Sequence, residues 1–321
     1  MPLTKTRFVN RSGSYQFAWK EYGRFIQSAV GLEMVGNIVY VHSSGAGTTG
    51  PNTPEDAVND IDEAVALLTA NNNDVIAVLP SHTETVTAAS GIDLDVAGMS
   101  LIGLGRGTNK PVITVGDSTL DTVRVNAANV LIKNIRFVSG VDSLVKMIDV
   151  NATYCTIEDC EFIGPAALEF TSAINLATTI DYLTVRRCRF EQPADPTGTD
   201  AAADTGAIFI VDSEFIFVEN CWFTGNFETA IIHNRTTACK NLWVKDCWGI
   251  QDLSGAEPFQ LVAGATGAML GGGFITPAET AATEATLVGT LGNAFFILPP
   301  GNFGNDGLAG GQGGIIVATA S

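Results

Sequence analysis

The residues in this chain best suited to chemistry are its carboxylates. Asp212 and Glu214 stand two residues apart, and Asp149, Glu158 and Glu161 fall within one short stretch. Glycan cleavage needs two carboxyl groups about 5–10 Å apart, one of them with a raised pKa. Asp149, placed beside Asn175, and the pair Asp212 and Glu214 are therefore the candidate catalytic acids, with Glu158 or Glu161 as further partners. A lyase would also need a Ca2+-binding Asp cluster or a Lys or Arg on the same face, and the sequence offers no such constellation. His82 in "LPSHTETV" and His233 in "AIIHNRT" read as structural. The stretch Val218-Glu219-Asn220-Cys221-Trp222-Phe223 sets a thiol beside a carboxylate, but none of the six cysteines forms C-x-x-C. No metal-ligand spacing is present, and no cofactor is implied. Gly103-Leu104-Gly105-Arg106-Gly107 begins like a nucleotide loop. Thr108 then stands where the last glycine is needed and no helix follows, so a chain corner is the better reading.

These residues sit in a repeating frame. "VLIKNIRF", "CTIEDCEF", "LTVRRCRF", "IFVENCWF" and "LWVKDCWG" end at Phe137, Phe162, Phe190, Phe223 and Gly249, and a looser copy, "MLGGGF", ends at Phe274. Each is preceded by a second short apolar run, such as "MIDVNAT" or "AIFIVDS". A period of about 25–33 residues with short β runs and no helix specifies an all-β fold, a parallel β-helix in which each unit is one coil.

The coil pattern assigns side chains to columns. Ile132, Ile157, Val185, Val218 and Val244 point inward. Lys133, Glu158, Arg186, Glu219 and Lys245 follow outward, and their alternating signs predict ion pairs between coils. Strict alternation would then turn the cysteines outward. The next slot, Asn134, Asp159, Arg187, Asn220 and Asp246, is mostly Asn or Asp, which predicts a left-handed bend that restores the phase. Ile135, Cys160, Cys188, Cys221 and Cys247 then face the core, followed by outward Arg136, Glu161, Arg189, Trp222 and Trp248 and an inward Phe. In the first strand of each coil the outward series reads Arg124, Asp149, Asn175, Phe209, Ile232, Gln260, so an ion pair with Arg124 accounts for Asp149. Phe209, Phe217, Trp222, Ile232, Trp243 and Trp248 thus make the exterior apolar over 207–249. That is an expected contact surface for another subunit, or for a glycan.

Composition narrows the partners. Charged residues are only 16% of the chain and the net charge is −17, which argues against a nucleic-acid grip. No apolar run is long enough to span a membrane, and the N-terminus lacks the apolar centre of a signal peptide. Synthesis in a cytoplasm and reduced thiols are the expectation. The chain divides into an aromatic and basic arm at 1–36, a β-helix at 37–275, and an Ala/Gly/Thr-rich segment at 276–321. The β-helix opens with a capping helix after Pro54 that carries Val58, Ile61, Ala64, Val65 and Leu68 on one face. The arm suits docking to another protein or packing on its own β-helix, and the last segment suits a cap or an assembly element.

The series "VYVHSSGAG", "TPEDAVNDIDEAVALL", "DVIAVLPSHTETV", "DLDVAGMSLIGLGRG" and "PVITVG", followed by the "VNAANVLIKNIRF" and "NATYCTIEDCEF" coils, resembles right-handed parallel β-helix proteins of the pectate-lyase-like superfamily. It is most similar to those that tailed bacteriophages and prophages encode as virion proteins. The resemblance covers about residues 37–275. It implies a tail spike, fibre or head-surface decoration, commonly a homotrimer, made in a bacterial host and carried on the virion surface, with the arm docking to other phage structural proteins. The pectate-lyase signatures are missing, so no catalytic residue is carried over. A non-enzymatic structural protein is the expectation; the alternative is a spike that binds or depolymerises host polysaccharide as a lyase or glycoside hydrolase.

Overall fold

The structure is a computed structural model that describes residues 36–45, 53–87, 91–116, 122–165, 168–177, 179–192, 206–234, 236–251 and 257–275, with strand fragments at 288–289, 294–298 and 316–317. The arm before residue 36 and most of the chain after 275 lie outside the described residues, as do the functions expected of them.

The described strands form a parallel β-helix. A larger sheet of 17 strands is folded across the bends, and a second sheet of eight strands closes each coil. Register follows the repeat. Ile132, Ile157, Val185, Val218 and Val244 are Cα partners in successive coils, and all are buried. Beside them Phe137, Phe162, Phe190 and Phe223 stack with centroids 5.3, 4.8 and 4.8 Å apart. Each stacked pair adds about 0.5–1.5 kcal/mol to the burial of its rings. Gly249 interrupts this column. A Cβ there would lie 2.5 Å from Cδ1 of Phe274, so the missing side chain lets Phe274 lean into the gap.

One expected register is corrected. In the eight-stranded sheet Ile208 pairs with Ile232, and Phe209 pairs with His233. Ile232 therefore belongs to the inward column of Val123, Ile148, Ile174, Ile208 and Phe259 and is buried. The repeats "AIFIVDS" and "AIIHNRT" align one residue out of step, and a one-residue slip exchanges the two faces. Phe209 does hold the outward position, but it too is buried, with its ring 5.0 Å from that of His233 and at right angles to it.

The expected helix after Pro54 is much shorter than its pattern. A 3-10 turn at Pro54–Asp56 precedes α1, Ile61–Val65, which buries Ile61, Ala64 and Val65. Asp60 caps it by accepting from the Glu63 amide at 2.7 Å. Val58 is spent differently. Its amide donates to the Tyr40 carbonyl at 3.0 Å and its carbonyl accepts from His42 at 2.9 Å, so it pairs along the free edge of the strand Ile38–Val41. At the other end, Ile316–Val317 pairs antiparallel with Ala294–Leu298. Among the described residues, each of these two edges thus meets a short extra segment.

Candidate functional site

The outer face around the bend is where the candidate residues converge. The bend forms in five successive coils: Asn134, Asp159, Arg187, Asn220 and Asp246 have φ of 57, 56, 53, 52 and 50°. Each amide of the first four donates across to the next coil, to the carbonyls of Glu158, Arg186, Glu219 and Lys245 at 2.8–3.1 Å. A left-handed residue costs an L-amino acid roughly 1–2 kcal/mol, least for Asn and Asp. Arg187 accepts that strain and gains ion pairs. The bend restores the inward phase, so Cys160, Cys188, Cys221 and Cys247 are buried, as is Ile135.

On the outward side the charge column becomes a hub at Glu158. Its carboxylate is buried. Lys133 Nζ donates to it at 2.7 Å and Arg186 Nε at 2.6 Å, and the Arg187 guanidinium closes on it as well. Arg187 Nε also donates to Asp159 at 2.8 Å. One bend later Glu161 accepts from Arg136 Nε at 2.7 Å and pairs with Lys110 Nζ at 3.0 Å. Burial alone would raise Asp159, but hydrogen bonds and charge from Arg187, aided by Lys133, hold it below its ordinary value. Glu161 is likewise pushed up by burial and carried below its ordinary value by Arg136 and Lys110. The expected ladder stops there. Glu219 is the register partner of Arg186 and of Lys245, yet among the described residues it makes no ion pair within 4.0 Å. Arg186 has turned to Glu158 instead.

Two of the candidate acids, Asp149 and Glu214, each face a lysine. Asp149 is buried and accepts from Lys146 Nζ at 2.5 Å and Asn175 Nδ2 at 2.7 Å. Arg124 is its register partner, but the ion pair goes to Lys146, three residues back in the same chain segment. Glu214 faces Lys240 at 3.4 Å. Asp212 occupies an exposed left-handed turn, φ 42°, where its carbonyl accepts from Thr179. His82 is buried against Glu84 at 3.0 Å, and Glu84 also accepts from the Ile61 amide at the start of α1. Among the described residues no group of three His, Cys, Asp or Glu side chains could hold a metal ion. Burial pushes the Cys155 thiol up to about 11 and Cys239 to about 12, the direction opposite to that of a nucleophile.

Two aromatic features remain on the surface. Arg189, Trp222 and Trp248 are register partners in three successive coils. Trp222 is 42% and Trp248 54% exposed, while Phe217 and Trp243, on the far side of the bend, are half-buried. The next residue of the column is Gly273. A Cβ there would sit 2.8 Å from Cζ3 of Trp248, so the indole lies across the next coil and would have to shift to admit a side chain beneath it.

The second feature is one that reading the repeats missed. Asn129, Tyr154, Tyr182, Phe215 and Asn241 form another left-handed corner column, with φ of 61, 60, 59, 59 and 56°. Tyr154, Tyr182 and Phe215 stack almost parallel, with centroids 4.6 and 4.8 Å apart. Tyr182 is thereby stacked on both faces, between Tyr154 and Phe215. Such a ladder offsets the left-handed strain by stacking. The Asn residues at its two ends were the available signal.

Two solved structures resemble the chain. A rhamnogalacturonan lyase is 9% identical over 74% of this chain and 73% of its own, with a TM-score of 0.48. ORF18 of Geobacillus virus E2 is 13% identical over 87% of this chain and 62% of its own, less than two thirds of that protein's length, with a TM-score of 0.31. No protein-family model and no curated protein matches the sequence.

Proposed function

We propose that this chain is a non-enzymatic structural protein of a tailed-phage virion, a surface decoration or spike-like component that assembles with copies of itself, as a homotrimer. The phage origin rests on the sequence resemblance over residues 37–275. The observation that carries the assembly reading is the pair Trp222 and Trp248, large apolar surfaces left open on neighbouring coils. Tryptophan is the residue type most enriched where protein contacts carry energy. The non-enzymatic reading is supported by the state of the carboxylates. Asp149, Glu158 and Glu161 are each held by two or more donors, and Glu214 is opposite a lysine. A general acid needs the reverse, a carboxyl group whose charge is disfavoured.

Light scattering on the purified chain at micromolar concentration tests the assembly. Three times the chain mass is expected, and a monomer across the range overturns it. The second reading is glycan contact at the same tryptophans, favoured by the neighbouring polar groups Glu219, Asn220, Lys245 and Asp246. A reducing-end assay on host polysaccharides separates the two. Any shortening of a polysaccharide displaces the structural reading in favour of a depolymerase.

A further inference from the structure

We infer that the strip Arg189–Trp222–Trp248 docks the acidic first coil of a second copy of this chain, an assignment that rests on the self-assembly reading above. The strip joins two of the three residue types most enriched where protein contacts carry energy. Arg189 has a 59% exposed side chain steadied at one end by Glu191. Arg186 and Arg187 flank it, also partly open, each fixed by the coil below through Glu158. Holding a guanidinium in place beforehand lowers the entropy lost on docking. The outer face of this coil therefore shows arginines and an adjoining apolar floor within a chain of net charge −17.

The complementary surface lies at the other end of the stack. Between Arg24 and Arg106 the sequence holds no Lys or Arg. Within that interval Glu55, Asp56, Asp60, Asp62 and Glu63 follow one another along the 3-10 turn and α1. Glu55, Asp56 and Asp62 are exposed. Val58 ties this segment to the edge of the first coil, so its carboxylates are carried on a fixed frame. The same charge would repel a second acidic end and attract the arginine face. The contact joins two unlike patches, so successive copies meet head to tail, the type of contact from which cyclic oligomers are built.

The test is sedimentation equilibrium of the full chain and three variants. Arg189→Glu is expected to weaken association about tenfold or more, and Glu55→Arg with Glu63→Arg to do the same. The chain carrying all three changes reverses one charge on the strip and two on the turn, and it is expected to associate more tightly than the chain carrying either set alone. Raising the salt concentration should weaken the native assembly as well. An oligomer that tolerates Arg189→Glu, or a triple variant that stays dissociated while circular dichroism reports an intact fold, overturns this docking and leaves self-assembly standing. A wild-type monomer at every concentration overturns both. A strip that instead binds host polysaccharide, read as quenched tryptophan fluorescence in the wild type and not in Trp248→Ala, with no effect of the acidic variant on association, also overturns it.

Discussion

Replacing Glu158 by Gln removes one negative charge and almost no volume, so it isolates the electrostatics of the outer face. The buried carboxylate sits among Lys133, Arg186 and Arg187. Without it, Asp159 still pairs with Lys133 at 3.6 Å and with Arg187 at 2.8 Å. Breaking a buried ion pair from one side costs about 3–5 kcal/mol. Here the arginine side chains are 42% and 47% exposed and can turn toward water. That places the expected loss at the lower end, about 3 kcal/mol. Glu219→Gln is the internal control, because Glu219 stands in the same column and makes no ion pair among the described residues. It should change stability by no more than about 0.5 kcal/mol. Urea unfolding of both variants and the parent, with the slopes compared, reads the difference. A stacked repeat can lose coils separately. Hydrogen exchange at Thr156–Glu158 and Thr184–Arg186 therefore accompanies the melt. Equal effects of the two variants, or a Glu158→Gln loss below about 1 kcal/mol, would show that the hub is a solvent-screened surface network and refute the reasoning.

Phe190→Ala should cost about 3–5 kcal/mol, since the ring is buried and stacked on both sides, and the midpoint of urea unfolding reads it. Asn220→Ala should lose about 1–2 kcal/mol at its left-handed bend, whereas Asn220→Gly should be nearly neutral; a reversed order in thermal melts would deny that the bend is strained. Glu161 has its folded-state pKa depressed, so its contribution is complete above the unfolded value of about 4.3 and is lost as pH falls through the folded value. The stability gap between the parent and Glu161→Gln should therefore be constant near neutrality and close below about pH 4. A gap that persists in acid would contradict the depression.

The repeat made the coil order, the inward valines and cysteines and the bend legible, because each is a property of one column read down the chain. Arg187 shows how strong that reading is: it bends like its Asn and Asp neighbours although its own type gives no reason to. Side-chain partners were less legible. Arg186 reaches to Glu158 rather than Glu219, and Asp149 to Lys146 rather than Arg124, because long side chains choose among several neighbours within reach. Ile232 was misplaced by a single residue, since "AIFIVDS" and "AIIHNRT" align on their shared Ala-Ile, whereas the register pairs Ile208 with Ile232. The aromatic corner of Tyr154, Tyr182 and Phe215 was hidden because stacking, a contact between coils, compensates a conformation that local preference disfavours.

The inward cysteines also give the protein a set of internal clocks. Cys160, Cys188, Cys221 and Cys247 occupy one position in each of four successive coils, and every thiol is shielded while its coil is closed. A thiol-modifying reagent can label each only when that coil opens. Labelling each cysteine over time would rank the coils by how often they part, and would reveal whether the stack frays from one end or gives way in the middle.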